Sequence, residues 1–103
     1  MRLLARLPPA KRGRLLHLRV EDHYVEVTTD RGSALVLLRL SDAVAETAGV
    51  PGLQVHRSHW VALDAVARAG REGGRPALVL RTGTVVLVSR SFLPAARAAG
   101  LGV

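Results

Sequence analysis

Two short segments carry the residue types that could do chemistry: Val55-His56-Arg57-Ser58-His59-Trp60-Val61 and Val86-Leu87-Val88-Ser89-Arg90-Ser91. Each sets an Arg and a Ser at the end of a run of β-branched and aliphatic residues, with no acid nearby. The planar fork of an arginine suits bidentate bonding to phosphates and to the O6 and N7 atoms of guanine. A serine hydroxyl can anchor a phosphate, which positions a nucleic acid without reading its sequence. The pattern therefore points to a small β-rich module that presents cationic side chains on loops.

Other chemistries fit less well. His56 and His59 lie at i, i+3, and on one strand they would point to opposite faces. No Cys or clustered carboxylate completes a metal set around them, so no metal and no cofactor is expected. Ser58, His59 and Asp64 are triad residue types, but no nucleophile elbow or glycine-built oxyanion hole accompanies them, and catalysis is not expected. There is no cysteine, which excludes disulfides and fits a reducing compartment.

The chain has 103 residues, enough for one domain with a single core. Hydrophobic residues make up 49% of it, so it should be globular. Aromatics are limited to Tyr24, Trp60 and Phe92, leaving Val, Leu and Ala to fill the core; Trp60 and Tyr24 read as core anchors. Fifteen Lys+Arg against eight Asp+Glu give a formal charge of +7. All the cations except Lys11 are arginine. A GC-rich genome accounts for part of the arginine preference but not for the net excess. That excess suggests an anionic partner, nucleic acid first and an anionic membrane second. No apolar run approaches the roughly 20 residues of a membrane span, and Arg6 breaks the only stretch resembling a signal peptide.

The elements that must position these residues follow from periodicity. Residues 1–14 read as a basic, proline-containing linker or N-terminal arm, and residues 15–103 as the domain. Leu15 to Val20 is a strand, and Glu21-Asp22 a turn. His23 to Thr29 is a second strand, with Tyr24, Glu26 and Thr28 on one face and Val25 and Val27 on the other. Asp30-Arg31-Gly32 is a hairpin signal. Ser33 to Arg39 is a third strand whose Ala34-Leu35-Val36-Leu37-Leu38 run suggests burial on both faces. Ser41 offers an N-cap to a short helix, Asp42 to Ala48. Leu53 to His56 is a strand, Trp60 to Leu63 is extended, and Ala65 to Ala69 is ambiguous between strand and helical turn. Arg71-Glu72-Gly73-Gly74 is a turn, Pro76 to Arg81 and Thr84 to Val88 form a hairpin, and Phe92 to Ala99 is helical. Seven or eight short strands with one or two short helices give a mostly β fold, with largely antiparallel pairing.

In this order, the Asp22-His23-Tyr24-Val25 strand opening, the Leu38-Arg39-Leu40-Ser41 strand end and the two Arg-Ser segments resemble the LytTR family of DNA-binding domains. The resemblance covers roughly Leu15 to Ala99. It implies an elongated arrangement of small antiparallel sheets, about ten strands in three sheets. It also implies binding of duplex DNA through loops that enter successive major grooves. Such domains are output domains of bacterial transcription regulators, often joined to receivers and in some proteins to membrane segments. They commonly bind paired direct repeats as dimers. On this resemblance His23, Arg57 and Arg90 reach bases, and Ser58 and Ser91 touch phosphate. The chain departs from the family pattern at Val61-Ala62-Leu63, where Asn is frequent.

The implied setting is the cytoplasm, with a receiver or membrane tether in a missing N-terminal part. The competing expectation is a β interaction module of the same charge that meets an acidic protein or an anionic membrane. RNA binding fits less well, because single-strand RNA surfaces display several exposed aromatics.

Overall fold

The computed structural model describes residues 1–103. Eight strands form two antiparallel sheets, and the molecule measures 38 × 25 × 23 Å, so it is elongated. The first sheet holds β1 (Leu15–Glu21), β2 (Tyr24–Thr29), β3 (Gly32–Val36), β4 (Gly52–His56) and β5 (His59–Ala62), in the order β3-β2-β1-β5-β4. The second holds β6 (Val66–Glu72), β7 (Arg75–Leu80) and β8 (Val85–Leu87), as a meander. Three short helices, α1 (Arg2–Ala5), α2 (Leu40–Ala45) and α3 (Leu93–Ala98), complete the fold. The mostly β architecture is as expected. The resemblance implied about ten strands in three sheets; here there are eight in two.

Alternation along β5 divides the interior. Trp60 and Ala62 join a first core with Leu16, Leu18, Val25 and Val27, covered by α1 and α2. Val61 points the other way, into a second core with Val55, Leu78, Leu80 and Val86, closed by α3. One strand thus serves two cores through its period of two. The cross-strand neighbour of Ala62 is Gly52, and the Trp60 ring fills the space a side chain would take: a Cβ there would lie 1.9 Å from Trp60 Cζ2. Trp60 is the expected core anchor, only 3% exposed.

Several expectations are corrected. The segment expected to be a linker or arm, residues 1–14, is folded: Leu3 and Leu7 are buried in the first core. Leu3 lies in α1, and Leu7 follows it through a tight turn in which the Leu7 N–H donates to the Leu4 carbonyl at 3.0 Å. The Arg6 guanidinium grips the Glu46 carboxylate with two bonds of 2.7 and 2.8 Å, fastening α1 to the chain beyond α2. The third strand is not buried on both faces, because β3 is a sheet edge; Leu35 and Leu37 are 54% and 66% exposed. Tyr24 is no core anchor and is 42% exposed at the start of β2. Ser41 does not cap α2, which starts at Leu40 with Arg39 in the capping place and no side-chain cap bond. The ambiguous stretch after Leu63 is a 3-10 turn, Leu63–Ala65, followed by β6, which pairs with β7 across a tight Gly73-Gly74 turn.

Candidate nucleic-acid interface

Strand order decides where the predicted site residues go. β1 runs antiparallel to both β2 and β5, and β5 runs antiparallel to β4. The β1–β2 turn and the β4–β5 turn therefore emerge at the same end of the first sheet. They are two strand spacings apart, about 10 Å.

His23 occupies the β1–β2 turn, between paired residues Glu21 and Tyr24, and is exposed. Asp22 beside it takes φ +54, a left-handed conformation that a short polar side chain tolerates. Arg57 and Ser58 form the two-residue β4–β5 turn, closed by the His56–His59 pair. The His56 ring braces that turn from within, because its Nδ1 accepts the Ser58 backbone N–H at 3.1 Å. The Val20 N–H donates to the Ser58 carbonyl at 2.9 Å, tying the turn to the end of β1. Arg57 is exposed at the tip, while Ser58 is half-buried.

The third segment reaches the same end through a different sheet. The Ser89 N–H donates to the Val55 carbonyl at 3.0 Å, docking the chain after β8 onto β4. A 3-10 turn, Arg90–Phe92, follows. Phe92 and Leu93 pack on the second core, while Arg90 and Ser91 are exposed. All five predicted residues, His23, Arg57, Ser58, Arg90 and Ser91, thus lie along one edge of the molecule.

The fold adds two residues that the sequence reading did not single out. Arg39, exposed at the exit from β3, lines a hollow of about 560 Å³ with His23, Tyr24 and Leu37. Arg75, exposed at the start of β7, lines one of about 480 Å³ with His56, Ser89 and Arg90. The ion pairs of the molecule are Arg6–Glu46, Arg19–Glu21 and Arg19–Glu26, so Arg39, Arg57, Arg75 and Arg90 make none. Arg39 was visible as the residue between a strand and a helix. Arg75 gave no signal, because only sheet pairing brings it beside Arg90.

Behind the edge runs a row of histidines. His17 Nε2 and His59 Nδ1 share a hydrogen bond of 2.8 Å, with their rings stacked. His59 also meets His56 edge-on, with ring centroids 5.4 Å apart. His56 and His59 therefore sit on paired strands and touch, and do not point to opposite faces of one strand as expected. Burial pushes the His17 imidazole down to about 4, helped by the charge of Arg19. Burial does the same to His59, also to about 4, with His17, His56 and Arg19 adding to it. At neutral pH the buried His17–His59 pair is uncharged and braces the edge from behind.

The family model of the LytTr DNA-binding domain matches residues 13–100. Among solved structures, the chain is similar to the LytTr DNA-binding domain of a protein described as a methyl-accepting/DNA response regulator from Bacillus cereus. The two are 17% identical, with a TM-score of 0.72 over 82% of this chain and 79% of the other, a likeness of fold. A search of curated proteins gives no match. No helix is long and apolar enough to cross a membrane. The match over residues 13–100 spans most of the 103, and the chain belongs to the LytTR family of DNA-binding domains.

Proposed function

We propose that this domain binds duplex DNA sequence-specifically, by inserting three loops into the major groove, as the output domain of a bacterial transcription regulator. The observation that carries this reading is the gathering of the β1–β2 turn, the β4–β5 turn and the segment after β8 on one edge, joined by the Val20–Ser58 and Val55–Ser89 backbone bonds. His23, Arg57 and Arg90 read base edges. Ser58 and Ser91 hold phosphates, with Arg75 adding charge at one flank.

Magnitudes support it. The major groove is about 12 Å wide, so turns roughly 10 Å apart fit within it. The longest dimension, 38 Å, compares with roughly 34 Å for one duplex turn, so one domain can reach groove segments on one face of the helix. Each arginine bonded to guanine should contribute about 1–3 kcal/mol of discrimination. If about six phosphates are neutralised, log affinity falls against log salt with a slope near −5. The same reading includes paired direct repeats bound by two copies, a cytoplasmic setting, and a receiver or membrane tether elsewhere in the parent protein.

The test is selection from fragmented genomic DNA at about 0.15 M salt, a concentration that leaves the screening length near 8 Å. Enrichment of a short motif in two copies about one helical turn apart supports the reading. Retention of DNA with no motif contradicts it, and favours a basic module whose partner is an acidic protein or an anionic membrane.

A further inference from the structure

The first sheet has one face closed by the first core. Its other face is half covered: β4 and β5 carry the second sheet, while β2 and β3 stay open. Tyr24 and Leu35 are exposed on that open half, and Leu37 is exposed just beyond the end of β3. Register places Tyr24 and Leu35 on one face, since Glu26 pairs with Leu35 and Tyr24 lies two residues from Glu26 along β2, while Leu37, just past the end of β3, meets Tyr24 at the rim of one hollow. Single exposed leucines need no explanation, but a group of large apolar side chains beside a binding edge does.

Leu37 has the clearest setting. The Leu38 N–H donates to the Val36 carbonyl at 3.0 Å, a three-residue turn centred on Leu37. The side chain at that turn is 66% exposed, and it lines the hollow that also holds His23 and Tyr24. The hollow is lined by Asp22 and Asp42 as well as by Arg39. Two carboxylates beside the one arginine make this a poor seat for phosphate. A base edge, neutral and in part apolar, suits it better, and the apolar feature of the major groove is the C5-methyl group of thymine.

We propose that Leu37 and Tyr24 form a methyl-reading surface next to His23, so that the domain prefers thymine at one or two positions beside the base that His23 contacts. The inference rests on the DNA-reading role of this edge. Discrimination comes from covering the methyl: thymine and deoxyuridine share every hydrogen-bonding group and differ only there. Burying one such carbon is worth about a four-fold change in affinity.

The experiment uses a duplex selected by the protein from a randomised pool. Each thymine is replaced in turn by deoxyuridine, and binding is followed by fluorescence anisotropy. The wild type should lose about four-fold at one or two thymines, the effect of one buried methyl. Leu37→Ala should bind the thymine duplex about as weakly as the wild type binds the deoxyuridine one, and should no longer distinguish the two. Tyr24→Ala should reduce the difference. Leu35→Ala, further from the edge with the same chemistry, should keep it. All of these side chains are exposed, so the variants should fold. Wild-type affinity unchanged at every thymine overturns the proposal. So does discrimination that survives in Leu37→Ala, or is lost equally in Leu35→Ala. If selection yields no motif, the DNA-reading role itself fails and the inference falls with it, a result distinct from a motif that is indifferent to methyl groups.

Discussion

At the end of the first sheet where β2 turns into β3, cations are absorbed by the fold. Lys11 donates to the Ser33 carbonyl at 2.7 Å, and Arg12 reaches the carbonyls of Leu7 and Ala5 at 3.0 and 3.2 Å. At the opposite end, Arg39, Arg57, Arg75 and Arg90 project without an internal partner, from turns that backbone bonds and a histidine ring hold in place. Arg14 and Arg31 near the first end are also exposed, so exposure of charge does not by itself separate the two. What separates them is shape. One end offers aligned tight turns that can enter a groove; the other is covered by α1 and the 3-10 turn Pro9–Lys11.

The two ends should respond to substitution in opposite ways. Leu3→Ala attacks the covered end by emptying a fully buried site. Stability should fall by about 2–5 kcal/mol, read from urea midpoints, while the folded fraction keeps its preference between specific and scrambled DNA. Adding a methyl at Gly52 should cost about 1–3 kcal/mol by forcing Trp60 off its rotamer. Thermal melting of Gly52→Ala checks this.

Arg57→Ala and Arg90→Ala should do the reverse. As exposed side chains they should alter stability by less than about 0.5 kcal/mol. Specific binding should weaken about 5- to 150-fold, the equivalent of roughly 1–3 kcal/mol, with relaxed preference at one base pair each.

The histidine row gives a smaller effect with a definite sign. His17 and His59 are held neutral in the fold down to about pH 4, whereas the unfolded chain takes up protons near the ordinary 6.5. The unfolded state therefore binds more protons between these values, and stability falls as pH drops from about 6.5 toward 4. Above 6.5 the pair contributes no pH dependence. His17→Gln should flatten the difference in urea midpoint between pH 7.5 and pH 5; an unchanged difference would show that the row is not its source. The smallest effect belongs to Arg14→Ala with Arg31→Ala. Affinity should change little, and equally for specific and scrambled DNA.

Strand alternation, the Asp30-Arg31-Gly32 hairpin and the paired Arg-Ser segments made most of the β-fold legible, because those signals are local. Trp60 was recognisable as a core residue for the same reason. The N-terminal helix was not: with Arg2, Arg6 and the Pro8-Pro9 break around them, Leu3 and Leu7 read as a linker, and one helical turn is too short to show a period. Leu35 and Leu37 looked buried because an edge strand with a half-open face has the same composition as a central one. The His17–His59 bond joins residues 42 apart and forms only once β1 pairs with β5. Arg75 illustrates the same limit at the site itself, since its neighbour Arg90 is supplied by the 3-10 turn after β8.

The most direct test of the central claim, that one edge reads DNA, is amide chemical-shift mapping of the domain titrated with its selected duplex. The largest shifts should fall on His23, Arg57, Ser58, Arg90 and Ser91, with Arg39 and Arg75 at the margin and little change at Arg14 and Arg31. Shifts centred on Arg14, Arg31 and the N-terminal helix, or spread evenly over the arginines, would contradict it.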